Sequence, residues 1–144
     1  MILCDVNVLV CAHKEGVERH DEYREWLEHA MNGDQAFGVS DLLLSSVLRI
    51  VTHPRVFDPP STWDQAKAFA DAVRSAPCAV PITPGPRHWQ IFTELAGKAG
   101  VRGNLVPDAY LAALAIESGS EWITMDRGFA RYPGLRFRHP LAPA

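Results

Sequence analysis

Apolar positions along this chain fall into short continuous runs alternating with longer stretches of helical period. Ile2-Leu3-Cys4-Asp5-Val6-Asn7-Val8-Leu9-Val10 is an apolar run interrupted by one acid and one amide. A run that short reads as a buried strand, the central one of the sheet, over Ile2 to Val10 and most regular from Ile2 to Cys4. Asp5 falls where the strand ends and a helix begins. From about Val17 to Met31, Tyr23, Trp26, Leu27 and Ala30 recur at helical spacing with charges between them, and Asn32-Gly33-Asp34 stops the helix. A second short strand is expected over Ala36 to Val39. Ser40 then caps a helix from Asp41 to about Thr52, with Leu44, Val47, Leu48 and Val51 as its apolar stripe, ended by His53-Pro54.

Beyond the Pro59-Pro60 loop, Ser61 or Thr62 caps a helix over about Trp63 to Arg74, with Ala66, Phe69, Ala70 and Val73 inward. Ala79 to Ile82 reads as a strand that Pro81 confines to an edge. A helix follows from Arg87 to Ala99, with Trp89, Phe92 and Leu95 expected inward. The next starts at Asn104-Leu105-Val106-Pro107-Asp108 and runs to about Ser118. Ala109, Ala112, Ala113 and Ala115 make one side of it small enough for close approach, and Gly119 stops it. Glu121 to Thr124 is a fourth strand, Arg127 to Arg131 a helical turn, Leu135 to Arg138 a fifth strand, and His139 to Ala144 a frayed tail.

Strands alternating with helices imply βαβ units, so the expected fold is α/β: three layers, with a central, mainly parallel sheet of four to five strands covered on both faces. In open parallel sheets, sites form beyond the carboxyl ends of the strands, near the point where strand order reverses. That rule brings the ends of the first and fourth strands, Asp5 and Asp126, into one crevice.

Length and composition narrow the class. At 144 residues, 47% hydrophobic and 22% charged, residues 1–144 are expected to form a single domain with its own core. No segment is apolar for long enough to span a membrane, and no signal peptide is read at the N-terminus. Cys4, Cys11 and Cys78 are odd in number and form no CxxC, which points to a reduced, cytoplasmic protein without a zinc site. The net charge of −3 argues against a passive nucleic-acid binder. Charge is nonetheless segregated. Acids dominate from Glu15 to Glu28, whereas Arg127, Arg131, Arg136 and Arg138 close the chain without an acid among them.

Two acids, Asp5 and Asp126, end strands, and two, Asp41 and Asp108, open helices. Each taken alone has a structural reading, since an acid in the first turn of a helix satisfies backbone N–H groups and the helix dipole. Asp5 is the hardest to explain this way, because its neighbours are apolar. Taken together, four carboxylates at one end of the sheet would repel one another and raise each other's pKa. A divalent cation resolves that conflict. An all-oxygen set without a Cys or His cluster suits magnesium, with manganese as a substitute, and such a site supports phosphodiester hydrolysis. Asn7, Ser40, Asn104 and Thr124 are candidates to orient ligands or water around it.

Asp5-Val6-Asn7-Val8-Leu9, Ser40-Asp41-Leu42, the stretch from Leu48 to Phe57, that from Gly103 to Ala115 and that from Thr124 to Leu135 occur in order across nearly the whole chain. In these motifs the sequence resembles the PIN-domain ribonucleases and, within them, the VapC toxins of bacterial toxin–antitoxin pairs. The stretch from Leu48 to Phe57 is similar to actinobacterial members in particular. The resemblance implies a PIN-like fold and a magnesium-dependent endoribonuclease that inhibits translation and growth. Its catalytic acids map onto Asp5, Asp41, Asp108 and Asp126, with Asp5, Asp108 and Asp126 at the metal. Many members carry a glutamate at the second position, so Asp41 is one methylene short and reaches the metal through water or from a closer helix. The resemblance further implies a homodimer and a cognate VapB-type antitoxin.

Arg127, Arg131 and Arg49 are candidate contacts to RNA phosphates. The expected substrate is single-stranded or looped RNA, where bases are exposed to a reader. Two rivals carry their own signatures. Phosphoryl transfer through an aspartate nucleophile would place a second acid where this chain has Asn7. An α/β interaction module whose acids only cap helices would bind magnesium weakly. A dinucleotide-binding domain is disfavoured, because no GxGxxG follows the first strand.

Overall fold

The structure, a computed structural model, describes residues 1–143. Five short strands, β1 (Ile2–Cys4), β2 (Phe37–Val39), β3 (Ala79–Pro81), β4 (Glu121–Ile123) and β5 (Phe137–Arg138), form one sheet in the order β3-β2-β1-β4-β5. Every pairing is parallel. The central strand β1 sets the register: Leu3 lies opposite Gly38 on one side and Trp122 on the other. Gly38 is required there, because a Cβ would stand 3.0 Å from the carbonyl oxygen of Ile2 and 3.1 Å from Cγ1 of Ile82. Pro81 lies in the edge strand β3, where its missing N–H costs no ladder bond.

The side chains of β1 alternate between two cores. Ile2 and Cys4 pack under α1 (Val6–His13), α2 (His20–Asn32), α3 (Asp41–Val51) and α4 (Trp63–Arg74), through Val8, Leu27, Val47 and Val73. Leu3 packs on the other face under α5 (His88–Ala99) and α6 (Val106–Ser118), through Leu95 and the fully buried Ala109, Ala112 and Ala113. The alanine side of α6 thus lets it lie close on the sheet. The result is the expected three-layer α/β arrangement, with an entirely parallel sheet.

Caps fix several helix starts. The Ser40 hydroxyl accepts from the N–H of Leu43, and Thr62 and Gln65 form a reciprocal capping box on α4. Gly119 ends α6 in the left-handed region at φ 69°, which a glycine adopts without strain.

Four expectations are corrected. The apolar run does not continue as a strand: Val6 to Val10 belong to α1, a helix so enclosed that Val8, Leu9, Val10 and Ala12 are all buried. A short apolar run cannot distinguish strand from buried helix by period. Trp89 is not inward but 70% exposed, because the inner stripe of α5 is His88, Phe92 and Leu95, one residue out of phase with it. The helix expected from Val17 starts at His20, after Arg19 adopts φ 61°. The tail is not frayed over the described residues: Pro140 is fully buried, Leu141 packs on the core, and His139 Nε2 lies 3.4 Å from the Tyr23 hydroxyl. Ala144 lies outside the described residues.

Candidate functional site

Strand order runs outward from β1 through β2 to β3 on one side and through β4 to β5 on the other, so the reversal lies between β1 and β4. Asp5 follows β1 at this point. Its backbone N–H donates to the carbonyl of Ile123 (2.8 Å), which ties it to the end of β4. The residue is only 8% exposed. Oδ1 accepts from the N–H of Val6 (2.7 Å), so the acid does cap α1. Oδ2 accepts from the hydroxyl of Thr124 (2.7 Å). The same hydroxyl oxygen accepts from the N–H of Asp126 (3.0 Å), and Asp126 Oδ1 accepts from the N–H of Gly128 (2.7 Å). One buried threonine thus links the acids that follow two adjacent strands. Each oxygen of Asp5 retains acceptor capacity beyond these bonds.

Burial pushes the Asp5 carboxyl up from its ordinary 3.8 to about 6. The bonds from Thr124 and Val6 oppose the shift, while the charges of Asp108 and Asp126 add to it. Asp108, in the first turn of α6, is also raised, first by burial and then by Asp126, with Arg131 pulling the other way. Asp5, Asp108 and Asp126 therefore share one electrostatic environment. It arises because an antiparallel return brings the N-terminus of α6 back to the carboxyl edge of a parallel sheet.

Asp41 lies elsewhere on that edge. It opens α3 after β2, and its side chain is 74% exposed. Arg74, in the last turn of α4, donates from Nε to Asp41 Oδ1 at 2.9 Å. Both line a cleft of about 150 Å³ at the carboxyl ends of β2 and β3. Among the polar candidates, Thr124 touches the acids directly, and Asn7 Oδ1 accepts from the N–H of Met125 (3.4 Å), bracing the loop before Asp126. Ser40 serves the cap of α3. Asn104 is exposed in the 3-10 turn Gly103–Leu105 that precedes α6. Arg49 and Arg127 are exposed, and Arg131 Nε donates to the carbonyl of Gly128 (2.8 Å).

Two residues at this edge escape sequence reasoning. Arg74 ends a helix and carries no local sign that it reaches α3. Gly128 is the other: a Cβ there would meet Asp126 Oδ1 at 2.9 Å and Arg131 Nη2 at 3.0 Å, so glycine lets this turn fold against the acid. Its place two residues after an acid in a turn was the available signal.

The donor set suits a hard divalent cation: carboxylate and hydroxyl oxygens, with one of the acids held in a desolvated pocket. Among the described residues, no three His, Cys, Asp or Glu side chains converge closely enough to hold an ion by themselves. Such a site leaves most of the coordination sphere to water and substrate oxygens, the habit of magnesium.

Comparison with known proteins covers nearly the whole chain. Residues 2–135 match the family model described as the PIN domain. The chain is 44% identical over 141 residues to ribonuclease VapC43 of Mycobacterium tuberculosis (strain ATCC 25618 / H37Rv), covering 98% of this chain and 96% of the relative. It is 39% identical over 140 residues to ribonuclease VapC25 of the same strain, covering 97% and 99%. In fold it resembles a chain of VapBC2 from Rickettsia felis, solved bound to a DNA fragment from its promoter. There the TM-score is 0.71 at 21% identity, covering 96% of this chain and 98% of that one.

Proposed function

This chain belongs to the PIN-domain family and, within it, to the VapC ribonucleases, and from that premise we propose that it is a magnesium-dependent endoribonuclease, the toxin of a VapBC pair, whose activity inhibits translation. The observation that carries the reading is the buried carboxyl of Asp5 at the strand-order reversal, raised to about 6 by burial and by the charges of Asp108 and Asp126. Keeping such a group charged at neutral pH is costly without a compensating cation.

In this reading Asp5 and Asp108 hold the ion, and Asp126 completes the group. When bound, magnesium neutralises the clustered carboxylates and polarises the phosphodiester oxygens. Thr124 fixes Asp5 Oδ2, so the carboxylate cannot rotate away from its partners. Asp126 is exposed, and Gly128 engages only its Oδ1. Its Oδ2 orients the attacking water and accepts the proton. The water oxygen forms its bond to phosphorus in line as the bond to the leaving ribose oxygen breaks, and solvent protonates that oxygen. Arg127, Arg131 and Arg49 contact neighbouring phosphates.

The partner of this reading is a VapB-type antitoxin, as in the VapBC complexes among its structural neighbours, and the toxin itself is a cytoplasmic homodimer. Among the described residues no helix is long and apolar enough to cross a membrane. The test is cleavage of single-stranded RNA by the purified chain with magnesium and with EDTA, alongside Asp5→Ala and the double variant Asp5→Ala/Asp108→Ala. Cleavage that needs magnesium and is lost in both variants supports the reading. Cleavage that survives EDTA, or the double variant, overturns it. A sizing measurement of the chain alone and with its co-expressed neighbour tests the dimer and the antitoxin.

A further inference from the structure

Arg74 and Asp41 form the one ion pair among the described residues that joins two helices, α3 and α4, and it lies at the carboxyl edge of the sheet. A guanidinium has five N–H donors. Arg74 spends Nε on Asp41, and no other hydrogen bond of its side chain occurs among the described residues. Its Nη1 and Nη2 groups therefore remain available beside the cleft lined by Val39, Pro81 and Thr83. That cleft opens at the ends of β2 and β3, one and two strands from β1. Adjacent strands lie about 4.8 Å apart, so the pair stands roughly 5–10 Å along the edge from the strand that delivers Asp5. Arg131 lies on the opposite side, in the field of Asp108. Arginines thus flank the acids on both sides.

An exposed pair of this kind contributes little to stability, and an arginine in a last helical turn already complements the helix dipole without any acid. The helix dipoles explain each charge at its own helix end, but not that the first-turn aspartate of α3 holds Arg74 by a single nitrogen. A planar guanidinium held through Nε presents its two terminal nitrogens as a fork, the geometry that matches phosphate oxygens. We propose that Arg74 contacts a backbone phosphate of the RNA substrate on the β3 side of the scissile bond, and that Asp41 is the positioning residue that aims it. Asp41 then stands outside the metal centre formed by Asp5, Asp108 and Asp126. This rests on the endoribonuclease reading and names how the substrate is held along the same edge.

The sign of one substitution separates this role from the alternatives. A free carboxylate beside a phosphate path repels RNA, so removing it should tighten binding. A carboxylate that aims an arginine should weaken binding when removed, although a negative charge is lost. The experiment measures binding of a labelled, mixed-sequence single-stranded RNA to the full chain in EDTA by fluorescence anisotropy, over a potassium chloride series. It is paired with steady-state cleavage in magnesium and with titration calorimetry of manganese. Arg74→Ala should weaken binding about three- to tenfold on every sequence and flatten the salt dependence by about 0.7 in log–log slope. It should raise KM while leaving kcat within about twofold. Arg74→Lys should recover part of the loss. Asp41→Asn should weaken binding by about half as much on a logarithmic scale, add nothing to Arg74→Ala in the double variant, and leave manganese binding unchanged. The proposal is overturned if Arg74→Ala leaves affinity, salt slope and KM as in wild type, if Asp41→Asn tightens RNA, or if Asp41→Asn loses manganese. Absence of magnesium-dependent cleavage by the wild type would instead remove the endoribonuclease reading, so the two failures are distinguishable.

Discussion

Asp5 and Asp41 start from the same local arrangement. Each follows a three-residue strand in the middle of a parallel sheet, and each stands at the first turn of a helix that returns across the same face. Their surroundings then diverge. Asp5 is enclosed, takes a hydroxyl from Thr124 119 residues away, and titrates near 6. Asp41 projects into solvent and meets Arg74. The difference is made by what lies across the strand-order reversal. β1 has β4 beside it, bringing Thr124, Asp126 and the start of α6. β2 has the edge strand β3 beside it, bringing only a cleft and the end of α4. A strand–acid–helix motif therefore delivers a carboxylate to the carboxyl edge of the sheet, and the neighbouring strand decides whether it becomes a desolvated carboxyl or an exposed partner.

The contrast is broken most directly by removing each acid. Asp5→Asn should lower cleavage by roughly a hundredfold or more, whereas Asp41→Asn should retain kcat. Single-turnover rates at saturating magnesium check this, and a comparable fall in both variants would erase the distinction. The next largest effect is on stability against pH. In metal-free protein the folded Asp5 holds its proton to about pH 6, while the unfolded chain releases it near 3.8. Its contribution to stability is thus fully favourable below about pH 4 and is lost as pH rises through 6, on the order of 3 kcal/mol. Denaturant midpoints of wild type relative to Asp5→Asn, in EDTA from pH 4 to 8, should show that decline. A difference that stays flat across this range would contradict it.

Thr124→Val should come next. It removes the bond that lowers the Asp5 pKa and the acceptor for the N–H of Asp126. Divalent affinity should fall about ten- to hundredfold, and the pH at which cleavage rises should move upward, read from kcat/KM profiles. An unmoved profile would mean that Thr124 only fills space. The smallest effect belongs to the exposed pair. Arg74→Ala should change unfolding free energy by less than about 1 kcal/mol, measured by urea titration. A larger loss would make the pair a structural brace and deprive the edge of its asymmetry.

The layers of the fold, the edge position of Pro81 and the meeting of Asp5 with Asp126 were legible because period, proline chemistry and the reversal rule act locally or through topology. The cap on α3 by Ser40 was legible for the same reason. Trp89 was not, since one residue of helical phase separates a buried position from an exposed one. The helical state of Val6 to Val10 was hidden because a short, almost wholly apolar run has no period to read. The docking of His139 beside Tyr23 depended on a surface that α2 presents only once folded. Arg74 was invisible because its partner lies 33 residues away on another helix. The candidate site was thus readable as a set of acids, and the division of that set into a buried group and an outlying pair was not.

The proposed divalent ion belongs to the Asp5 pocket and not to Asp41. Titration calorimetry of manganese into RNA-free wild type, Asp5→Asn and Asp41→Asn at neutral pH tests it directly. Wild type and Asp41→Asn should give the same isotherm, and Asp5→Asn should show no measurable binding. Binding that survives in Asp5→Asn, or vanishes in Asp41→Asn, would contradict that assignment.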